Sequence, residues 1–443
     1  MGGNDGYCRK RPVPPVPANH KDTCPPPAGE EIPPAISDAI RAYIERKTGK
    51  PWGDPTVIER LMRAIVAQKS AYWKKGKKKV SYRRGYQVLG YLAYHFPVYY
   101  AQAVYLMEDL ARRGLVFPSM RILDAGTGPG TIPLAIAGFM ERRGGLSAEV
   151  FSIEQSGEFI EAYTFLAERT VPGRSSVFLH RPLQKDIRFL ETDDIPSSLD
   201  LIIFQNVLNE IPSRNPAEKG DLVRKFATNL SERGSILLVE PADLDNSQEL
   251  REVASSASGK GLFIHAPCRF LWGQACRGER CWSFETKPPI KPPPFMQDLA
   301  RGREGFRFQN VDIKYSYSLL RKVPPPRVPG IPLSAKHYVR LSTLARHVDR
   351  RIRVAATVAS GDLGDSMTHV FFVCDGSPGA PAYAVLPRYH VSDKNRWLLS
   401  APYGDIAEFS PVLVRFNPRY RAYNLLVTRD STVRPFPARD SPG

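Results

Sequence analysis

The chain lacks long apolar runs and is poor in cysteine. No apolar stretch approaches the ~20 residues that a transmembrane helix needs, so we expect a protein without a membrane partner. The first residues, Met1–Cys8, show neither the apolar stretch of a signal peptide nor an Arg/Ser-rich transit pattern. Six cysteines in 443 residues exclude a disulfide scaffold. The compartment is therefore expected to be reducing, where clustered thiols are metal ligands rather than cystines.

Acidic residues are missing from one long window. The net charge is +17, which favours a polyanionic partner. Between Arg60 and Met107 there is no Asp or Glu. The window instead holds interleaved cations and aromatic residues: Lys69, Tyr72, Trp73, Lys74, Lys75, Lys77, Lys78, Lys79, Tyr82, Arg83, Arg84 and Tyr86. Cations neutralise phosphates and aromatic faces stack on unpaired bases, which predicts RNA binding; a solubilising basic surface is the alternative.

A glycine-rich turn directly follows the largely apolar run Met120–Leu123. The segment Asp124-Ala-Gly-Thr-Gly-Pro-Gly130 places an acid at the strand end, then glycines that let the backbone turn tightly against a ligand. This is not the Gly-x-Gly-x-x-Gly of dinucleotide folds. It resembles the first motif of class I S-adenosylmethionine (SAM) methyltransferases, which implies a loop under the methionine part of SAM. A purely structural turn is the alternative. The cofactor-binding candidates in this loop are Asp124, Gly126, Gly128 and Gly130.

Further apolar runs predict strands that alternate with helix-like segments. Strands are predicted at 149–154, 176–180, 199–206, 235–240, 262–266 and 313–320. The alternation predicts an α/β fold with a parallel Rossmann-like sheet covered on both faces, and ligands at the carboxyl ends of its strands. Glu154 ends the second strand, where a ribose-binding carboxylate is expected, although it also suits a solvated acid before the helix 156–169. Asp186 is a weaker candidate for the adenine amino group.

Composition divides the chain into five parts. We expect a disordered proline-rich arm (1–34), a basic helical RNA-binding region (35–117), the SAM-methyltransferase-like sheet (118–322) with a cysteine-rich insertion (266–284), a proline-rich linker (323–337) and a small barrel (338–443). The barrel is predicted from five short strands, at 351–358, 369–374, 382–386, 411–416 and 423–427.

The five strands resemble an OB-fold, a barrel that often binds oligonucleotides. A basic and aromatic binding face is predicted from Arg351, Arg353, Arg388, Tyr389, Arg415, Arg419, Tyr420 and Arg421. Other small barrels also have five strands, and a purely structural barrel is the alternative interpretation.

Three cysteines lie close together directly after the sixth predicted strand. Cys268, Cys276 and Cys281 are separated by seven and four residues, unlike the paired Cys-x2-Cys of common zinc sites. Thiolates are soft ligands for zinc or iron–sulfur clusters, so the spacing predicts a metal site without naming the metal. Three free core cysteines are the alternative, although the neighbouring Arg269 and Trp282 disfavour a plain apolar core.

Several segments together resemble the methyltransferase-like small-ribosomal-subunit assembly proteins of mitochondria and their prokaryotic relatives. In order, they are Tyr91–Ala101, the glycine loop, Phe204–Ile211, Leu238–Pro241, the cysteine-rich stretch and Tyr315–Lys322. The resemblance covers roughly 60–322. It implies ribosomal RNA of the small subunit as partner, a SAM-type pocket and a four-cysteine [4Fe–4S] cluster, for which Cys268, Cys276 and Cys281 match three ligands. We expect a monomer, cytoplasmic or, in a eukaryote, in the mitochondrial matrix.

The fourth ligand is open at this point. Cys374 is the downstream candidate, but it lies far along the chain in the predicted barrel, where it also makes sense as an ordinary strand residue. Cys8 and Cys24, in the proline-rich arm, are weaker candidates.

The catalytic residues are the least defined part of the prediction. Amino-group methylation often uses Asn/Asp-Pro-Pro-aromatic after the fourth strand; this chain has Asn206-Val-Leu-Asn209-Glu210, without the prolines. Asn206, which would also border the cofactor, and Glu210 are the catalytic candidates, and helix capping is the alternative. Two functions follow: a SAM-dependent methyltransferase of small-subunit ribosomal RNA, or an inactive iron–sulfur assembly factor that binds it.

Overall fold

A computed structural model describes residues 31–73, 84–171, 173, 175–213, 215–259, 261–272, 276, 281–301, 305–325 and 337–436. Most of the predicted arm, the lysine-rich run 74–83 and most of the predicted linker lie outside the described residues. The helices are α1 (Pro34–Thr48), α2 (Pro55–Trp73), α3 (Tyr86–Tyr94), α4 (Phe96–Arg112), α5 (Thr131–Arg143), α6 (Gly157–Thr170), α7 (Pro216–Ala227), α8 (Leu244–Ala257) and α9 (Pro294–Leu299).

The strands fall into two sheets. In the first are β1 (Ser119–Ala125), β2 (Ser147–Glu154), β3 (Val177–Leu179), β4 (Leu183–Gln184), β5 (Leu199–Gln205), β6 (Leu230–Pro241), β7 (Phe263–Ala266), β8 (Glu285–Lys287) and β9 (Ile313–Arg321). In the second are β10 (Arg351–Val358), β11 (Thr368–Cys374), β12 (Ala382–Pro387), β13 (Ile406–Asn417), β14 (Ala422–Leu426) and β15 (Thr432–Pro435).

Helix α1 packs against α6 through an apolar stripe. Ile36, Ile40, Tyr43 and Ile44, which share one face of α1 at helical spacing, are all buried. The Tyr43 ring lies 5.2 Å from that of Phe165 on α6, centroid to centroid. Helix formation in this region is therefore as the periodicity predicts.

The first sheet is a doubly wound α/β sheet with one reversed strand. Its order is β3-β2-β1-β5-β6-β9-β7, and neighbours from β3 to β6 run parallel. The predicted α/β Rossmann-like sheet is confirmed; its parallel pattern holds from β3 to β6, while β9 pairs antiparallel with both β6 and β7. The chain returns after β7 through β8 and inserts β9 between two strands already in place, which gives the mixed sheet common in large α/β folds.

The second sheet closes into a barrel at the predicted strands. Its order is β10-β11-β12-β14-β13, with β10 paired to β13 and a further strand, β15, along the outer side of β13. β12 and β14 run parallel, whereas the other pairs are antiparallel. Alternate residues such as Val354, Val373 and Phe409 fill the interior.

The expected single basic face of the barrel is wrong. Because β12 and β14 run parallel from Ala382↔Tyr423 to Val385↔Leu426, the end of β12 lies away from the turn between β13 and β14. Arg388 and Tyr389 follow that end, so they lie at the opposite end of the barrel from Arg419, Tyr420 and Arg421 in the turn. These two groups of residues therefore do not form one continuous face.

Candidate cofactor and thiol sites

The glycine loop is attached to the end of β2. The backbone N–H groups of Gly126 and Thr127 both donate to the Ile153 carbonyl, at 2.8 and 2.9 Å. Gly128 N–H donates to Glu154 Oε2 at 2.9 Å, and Ser156 N–H donates to Glu154 Oε1 at 2.7 Å. Glu154 therefore holds the loop through both of its carboxylate oxygens.

The three glycines have different surroundings. All have a left-handed φ, between +56° and +83°. A Cβ on Gly126 would lie 2.5 Å from the Val207 side chain, and one on Gly130 would lie 2.2 Å from the Tyr163 ring. A Cβ on Gly128 would have no heavy atom within 4 Å. Gly126 and Gly130 are thus required by packing inside the protein, while Gly128 faces open space, as a position beside a ligand does.

Buried polar atoms collect at the carboxyl ends of the parallel strands beside this loop. Among the described residues, no hydrogen-bond partner exists for Asp124 Oδ2, Thr131 Oγ1, Asn206 Nδ2, Asn209 Oδ1 and Glu240 Oε2. These residues end or follow β1, β5 and β6 or begin α5. Unpartnered buried polar groups are rare in folded proteins because each costs about 1–3 kcal/mol. We call this region the glycine-loop pocket.

The carboxyl groups of the glycine-loop pocket are unusually basic. Burial, with a smaller contribution from the charge of Glu154, raises the pKa of Asp124 to about 7. Burial likewise raises the pKa of Glu240 to about 8, although backbone N–H donors oppose the rise. Glu240 Oε1 accepts from Leu208 N–H at 3.0 Å and Asn209 N–H at 3.3 Å, so it holds the turn after β5. Sequence reasoning missed this role, although Glu240 ends a strand just as Asp124 and Glu154 do.

The other sequence candidates lie at different depths. Asn206 directly follows β5 with a left-handed φ of 56°, a conformation that Asn adopts more readily than most residues. Glu210 is exposed on the short turn Leu208–Glu210. Asp186 caps the turn Ile187–Phe189 and forms an ion pair with Arg188 at 2.5 Å, so part of its carboxylate is engaged locally. Catalytic or adenine-binding roles for these three stay predictions.

The second site lies where the sheet meets the barrel. A small cavity there is lined by Cys268, Cys276, Cys281 and Cys374 together with Arg251 of α8. All four cysteines are half-buried free thiols. We call this cavity the thiol pocket. Cys374, distant in sequence, thus shares a cavity with the three clustered cysteines, whereas Cys8 and Cys24 lie outside the described residues.

Burial dominates the chemistry of these thiols. It raises the pKa of Cys268 to about 12 and raises the pKa of Cys281 and Cys374 as well, while Arg251 opposes the rise for the first two. Within the described ranges, no group of three or more His, Cys, Asp or Glu side chains is arranged to hold a metal ion as it stands. The four thiols share a cavity without converging on one point, and closing on a metal would need side-chain adjustment.

The barrel and the cysteine loop are joined by specific contacts. Asp375, next to Cys374, accepts from Trp272 Nε1–H at 2.8 Å and, through its carbonyl, from Leu271 N–H at 3.1 Å. Gly376 has φ +80°, and a Cβ there would lie 2.7 Å from Phe270 Cα. Only glycine allows this approach. These contacts bring β11 to the loop that carries the other three cysteines.

Known families match both halves of this structure. Residues 85–339, more than half of the chain, match the family model described as mitochondrial small ribosomal subunit Rsm22. The chain belongs to the Rsm22 family. This confirms the resemblance seen in the sequence. Residues 342–436, the barrel, match a C-terminal domain of unknown function, DUF8157. No curated protein matches the chain.

Solved structures similar to this Rsm22-family chain are distant. A putative SAM-dependent methyltransferase from Methanococcus maripaludis is 15% identical, covering 32% of this chain and 54% of that one, with a TM-score of 0.24. An rRNA methylase from Streptococcus thermophilus is 10% identical (50% and 96% covered, TM-score 0.29). A putative RNA methyltransferase from Pyrococcus horikoshii is 12% identical (59% and 96%, TM-score 0.32). The chain spans 54% and 62% of the first two chains it matches, the second a SAM-dependent methyltransferase from Leishmania major.

No helix within the described part of this Rsm22-family chain is both long and apolar enough to cross a membrane.

Proposed function

We propose that this chain is a SAM-binding, methyltransferase-like protein that acts on small-subunit ribosomal RNA during ribosome assembly and carries an iron–sulfur cluster. The observation that carries the proposal is the set of unpartnered, buried polar atoms beside Gly128, within the segment that matches the Rsm22 family. Such atoms sit where open α/β sheets bind ligands. Family membership supports ribosomal RNA as the partner, and the strongly basic chain suits it.

The glycine-loop pocket fits SAM in its donor and acceptor groups. Bound SAM supplies an activated methyl group. Glu154 would take the ribose hydroxyls, the open side of Gly128 would admit the methionine portion, and Asp124 would lie at the loop's base. Asn206, with its buried Nδ2 unpartnered, and Glu210 would orient an acceptor; methyl transfer depends chiefly on such positioning.

A second candidate function keeps the fold and loses the catalysis. The segment after β5 lacks the prolines of amino-methylating enzymes, and Glu240 holds its backbone as a structural turn. Each carboxylate oxygen of Glu154 already accepts a hydrogen bond from the protein's own backbone. These observations favour an assembly factor that binds ribosomal RNA without methylating it.

The thiol pocket supports the cluster through its donor set. Four thiols line one cavity, and Cys268, Cys276, Cys281 and Cys374 would hold a [4Fe–4S] cluster, with zinc as the alternative metal. Because the ligands come from both the sheet and the barrel, the cluster would stabilise their junction, as metal sites order the segments that hold them.

The barrel supports RNA binding through its topology and surface. Its closed five-stranded barrel, with β12 parallel to β14, supports the prediction of an OB-fold. Its turn between β13 and β14 exposes Arg419, which lies over the Tyr420 ring at 5.3 Å, and Phe416, which packs against Tyr423 at 5.2 Å. Paired cations and aromatic rings of this kind bind unpaired nucleotides.

The deciding experiment is methyl transfer from labelled SAM to small ribosomal subunits purified from a deletion strain. Gly128→Arg should block the pocket, because Gly128 faces open space. Gly144→Arg is the matched control: Gly144 also has a left-handed φ and open surroundings, but it lies at the far end of α5.

Label in ribosomal RNA with the unmodified protein and Gly144→Arg, but not with Gly128→Arg, would establish an enzyme. Absence of label, together with tight subunit binding and a full cluster, would select the non-catalytic assembly factor. If the protein bound neither SAM nor small subunits, the proposal as a whole would be contradicted.

A further inference from the structure

Arg251 is a fully enclosed cation whose hydrogen-bond partners are all neutral. It projects from α8 and is 3% exposed. One guanidinium nitrogen donates to the Tyr317 carbonyl and to Ser318 Oγ. The other donates to the Ser283 carbonyl at 3.1 Å, Ser316 Oγ at 3.1 Å and Tyr403 Oη at 2.9 Å. These bonds fix the side chain between β9, the cysteine loop and the barrel.

Arg251 has no anionic side chain as a hydrogen-bond partner among the described residues. Within the described residues no carboxylate forms an ion pair with Arg251, and its Nε–H, also buried, has no hydrogen-bond partner. Other cations that are largely or fully buried do have one: Arg113 pairs with Asp109 at 2.8 Å, and Lys219 pairs with Glu249. Burying a charge without a counter-charge costs several kcal/mol, so a partner is expected.

The thiol pocket lies beside the Arg251 side chain. Arg251 lines the same cavity as Cys268, Cys276, Cys281 and Cys374. Its guanidinium group also contacts the Cys281 side chain. Asp375 is the acid nearest in sequence to Cys374, but both of its oxygens already accept bonds from Trp272, Leu341 and Ser377. Among the groups that line this cavity, the four thiols are those that would become anionic on binding a metal.

We propose that Arg251 is the counter-cation of the thiol pocket: it compensates the negative charge of thiolates that hold a metal centre there, and so sets both metal retention and the centre's reduction potential. This inference rests on the cluster of the proposed function. A metal centre bound by four thiolates carries net negative charge, and one-electron reduction makes it more negative. A fixed cation in a low-dielectric cavity favours both the bound and the reduced state.

The test compares Arg251→Met with Arg113→Met in the full-length protein, reconstituted anaerobically with iron and sulfide. Met keeps much of the side chain's volume and removes the charge. Arg113 is a matched control, because it is largely buried at the same junction, donating to Tyr403 O and Tyr317 Oη, yet it has its own carboxylate and does not line the cavity. Iron and sulfide content, the midpoint potential and thermal stability with and without metal are measured.

Arg251→Met is expected to bind the cluster at least tenfold more weakly. Its midpoint potential should become more negative by about 59 mV, a tenfold change in a one-electron equilibrium. The stabilisation that metal adds to the protein should shrink in Arg251→Met and persist in Arg113→Met. A merely structural arginine would lower the stability of the metal-free and metal-bound forms equally and leave the potential unchanged, which would overturn the proposal.

If Arg251→Met does not fold, Arg251→Lys decides. Lys keeps the charge and loses the planar fork, so the potential should stay near that of the unmodified protein even if stability falls; a tenfold change in the reduction equilibrium of Arg251→Lys would contradict charge compensation. Unmodified protein that takes up neither iron nor zinc would instead refute the metal centre of the proposed function.

Discussion

The glycine-loop pocket draws its side chains from the ends of neighbouring parallel strands, whereas the thiol pocket draws its own from a loop, a helix and a strand of the barrel. In the first, carboxyl and amide groups lie at positions that any doubly wound sheet brings together. In the second, Cys374 meets Cys281 only because the barrel packs on the cysteine loop through Asp375 and Gly376. The fold supplies the first site, and the contact between two folds supplies the second.

The largest expected effect is on the thiol pocket alone. Cys374→Ser should remove most of the iron and the visible absorbance of the reconstituted protein, because a three-thiolate site with a weak fourth ligand holds a cluster poorly. SAM binding should change little, since the glycine-loop pocket lies elsewhere. Iron, sulfide and absorbance are compared with Cys24→Ser as the matched control. Full iron in Cys374→Ser with loss in Cys24→Ser would reassign the fourth ligand to the proline-rich arm.

The next largest effect concerns the glycine-loop pocket, and it is a dependence of the free energy of unfolding on pH. The pKa values of Asp124 and Glu240 are raised, to about 7 and about 8, so the folded state holds these protons more tightly than the unfolded chain. Their stabilising effect is complete below about pH 4 and is lost as pH rises through about 7–8. At about 1.4 kcal/mol per pKa unit, the free energy of unfolding should therefore be several kcal/mol lower above about pH 8 than below about pH 4.

Urea unfolding of the SAM-free protein between pH 5 and 8.5 measures this dependence. Asp124→Asn and Glu240→Gln, which cannot ionise, should each flatten part of it. A stability that rises with pH in the unmodified protein, and equally in both variants, would show that these carboxyl groups are ionised in the fold.

A smaller effect distinguishes packing from ligand space within the glycine loop. Gly130→Ala should lower the free energy of unfolding by about 3 kcal/mol, because its Cβ would collide with the Tyr163 ring at a left-handed φ. Gly128→Ala has the same φ penalty without the collision and should cost about 1 kcal/mol. Equal losses in urea unfolding would mean that the loop is not packed against Tyr163 as described.

The smallest effect concerns RNA. Arg419→Ala should weaken binding of single-stranded RNA about threefold and reduce the slope of log affinity against log salt by about 1, as loss of one phosphate contact does. Arg388→Ala, at the other end of the barrel, is the control and should leave the slope unchanged if the turn between β13 and β14 is the contact. A reversed pattern would assign the RNA to the Arg388 end.

The two sites could be predicted from the sequence to different extents. The glycine loop, Glu154 and Asn206 are near in sequence to strands that an apolar run marks, so both their chemistry and their common edge could be predicted. Cys374 was predicted only through a family resemblance, because no local pattern reports a barrel strand packed on a loop. Arg251 carries no signal at all: it lies on an amphipathic helix where a buried and an exposed arginine look alike.

The antiparallel direction of β9 could not be predicted from the sequence for a related reason. An apolar run such as Ile313–Leu320 predicts a buried strand, but its direction depends on the path the chain takes after β7. The separation of Arg388 from Arg419 likewise depends on the parallel pairing of β12 and β14, which strand spacing does not reveal.

That parallel pairing also bears on the order in which the chain matures. β11 carries Cys374 and pairs with β12, and β12 is completed on its other side only by β14, one of the last strands to be synthesised. Cys268, Cys276 and Cys281 leave the translating ribosome long before the barrel can close. Cys374 therefore joins them only after nearly the whole described chain has emerged, so a chain cut short before β14 would present three clustered thiols without the fourth held beside them.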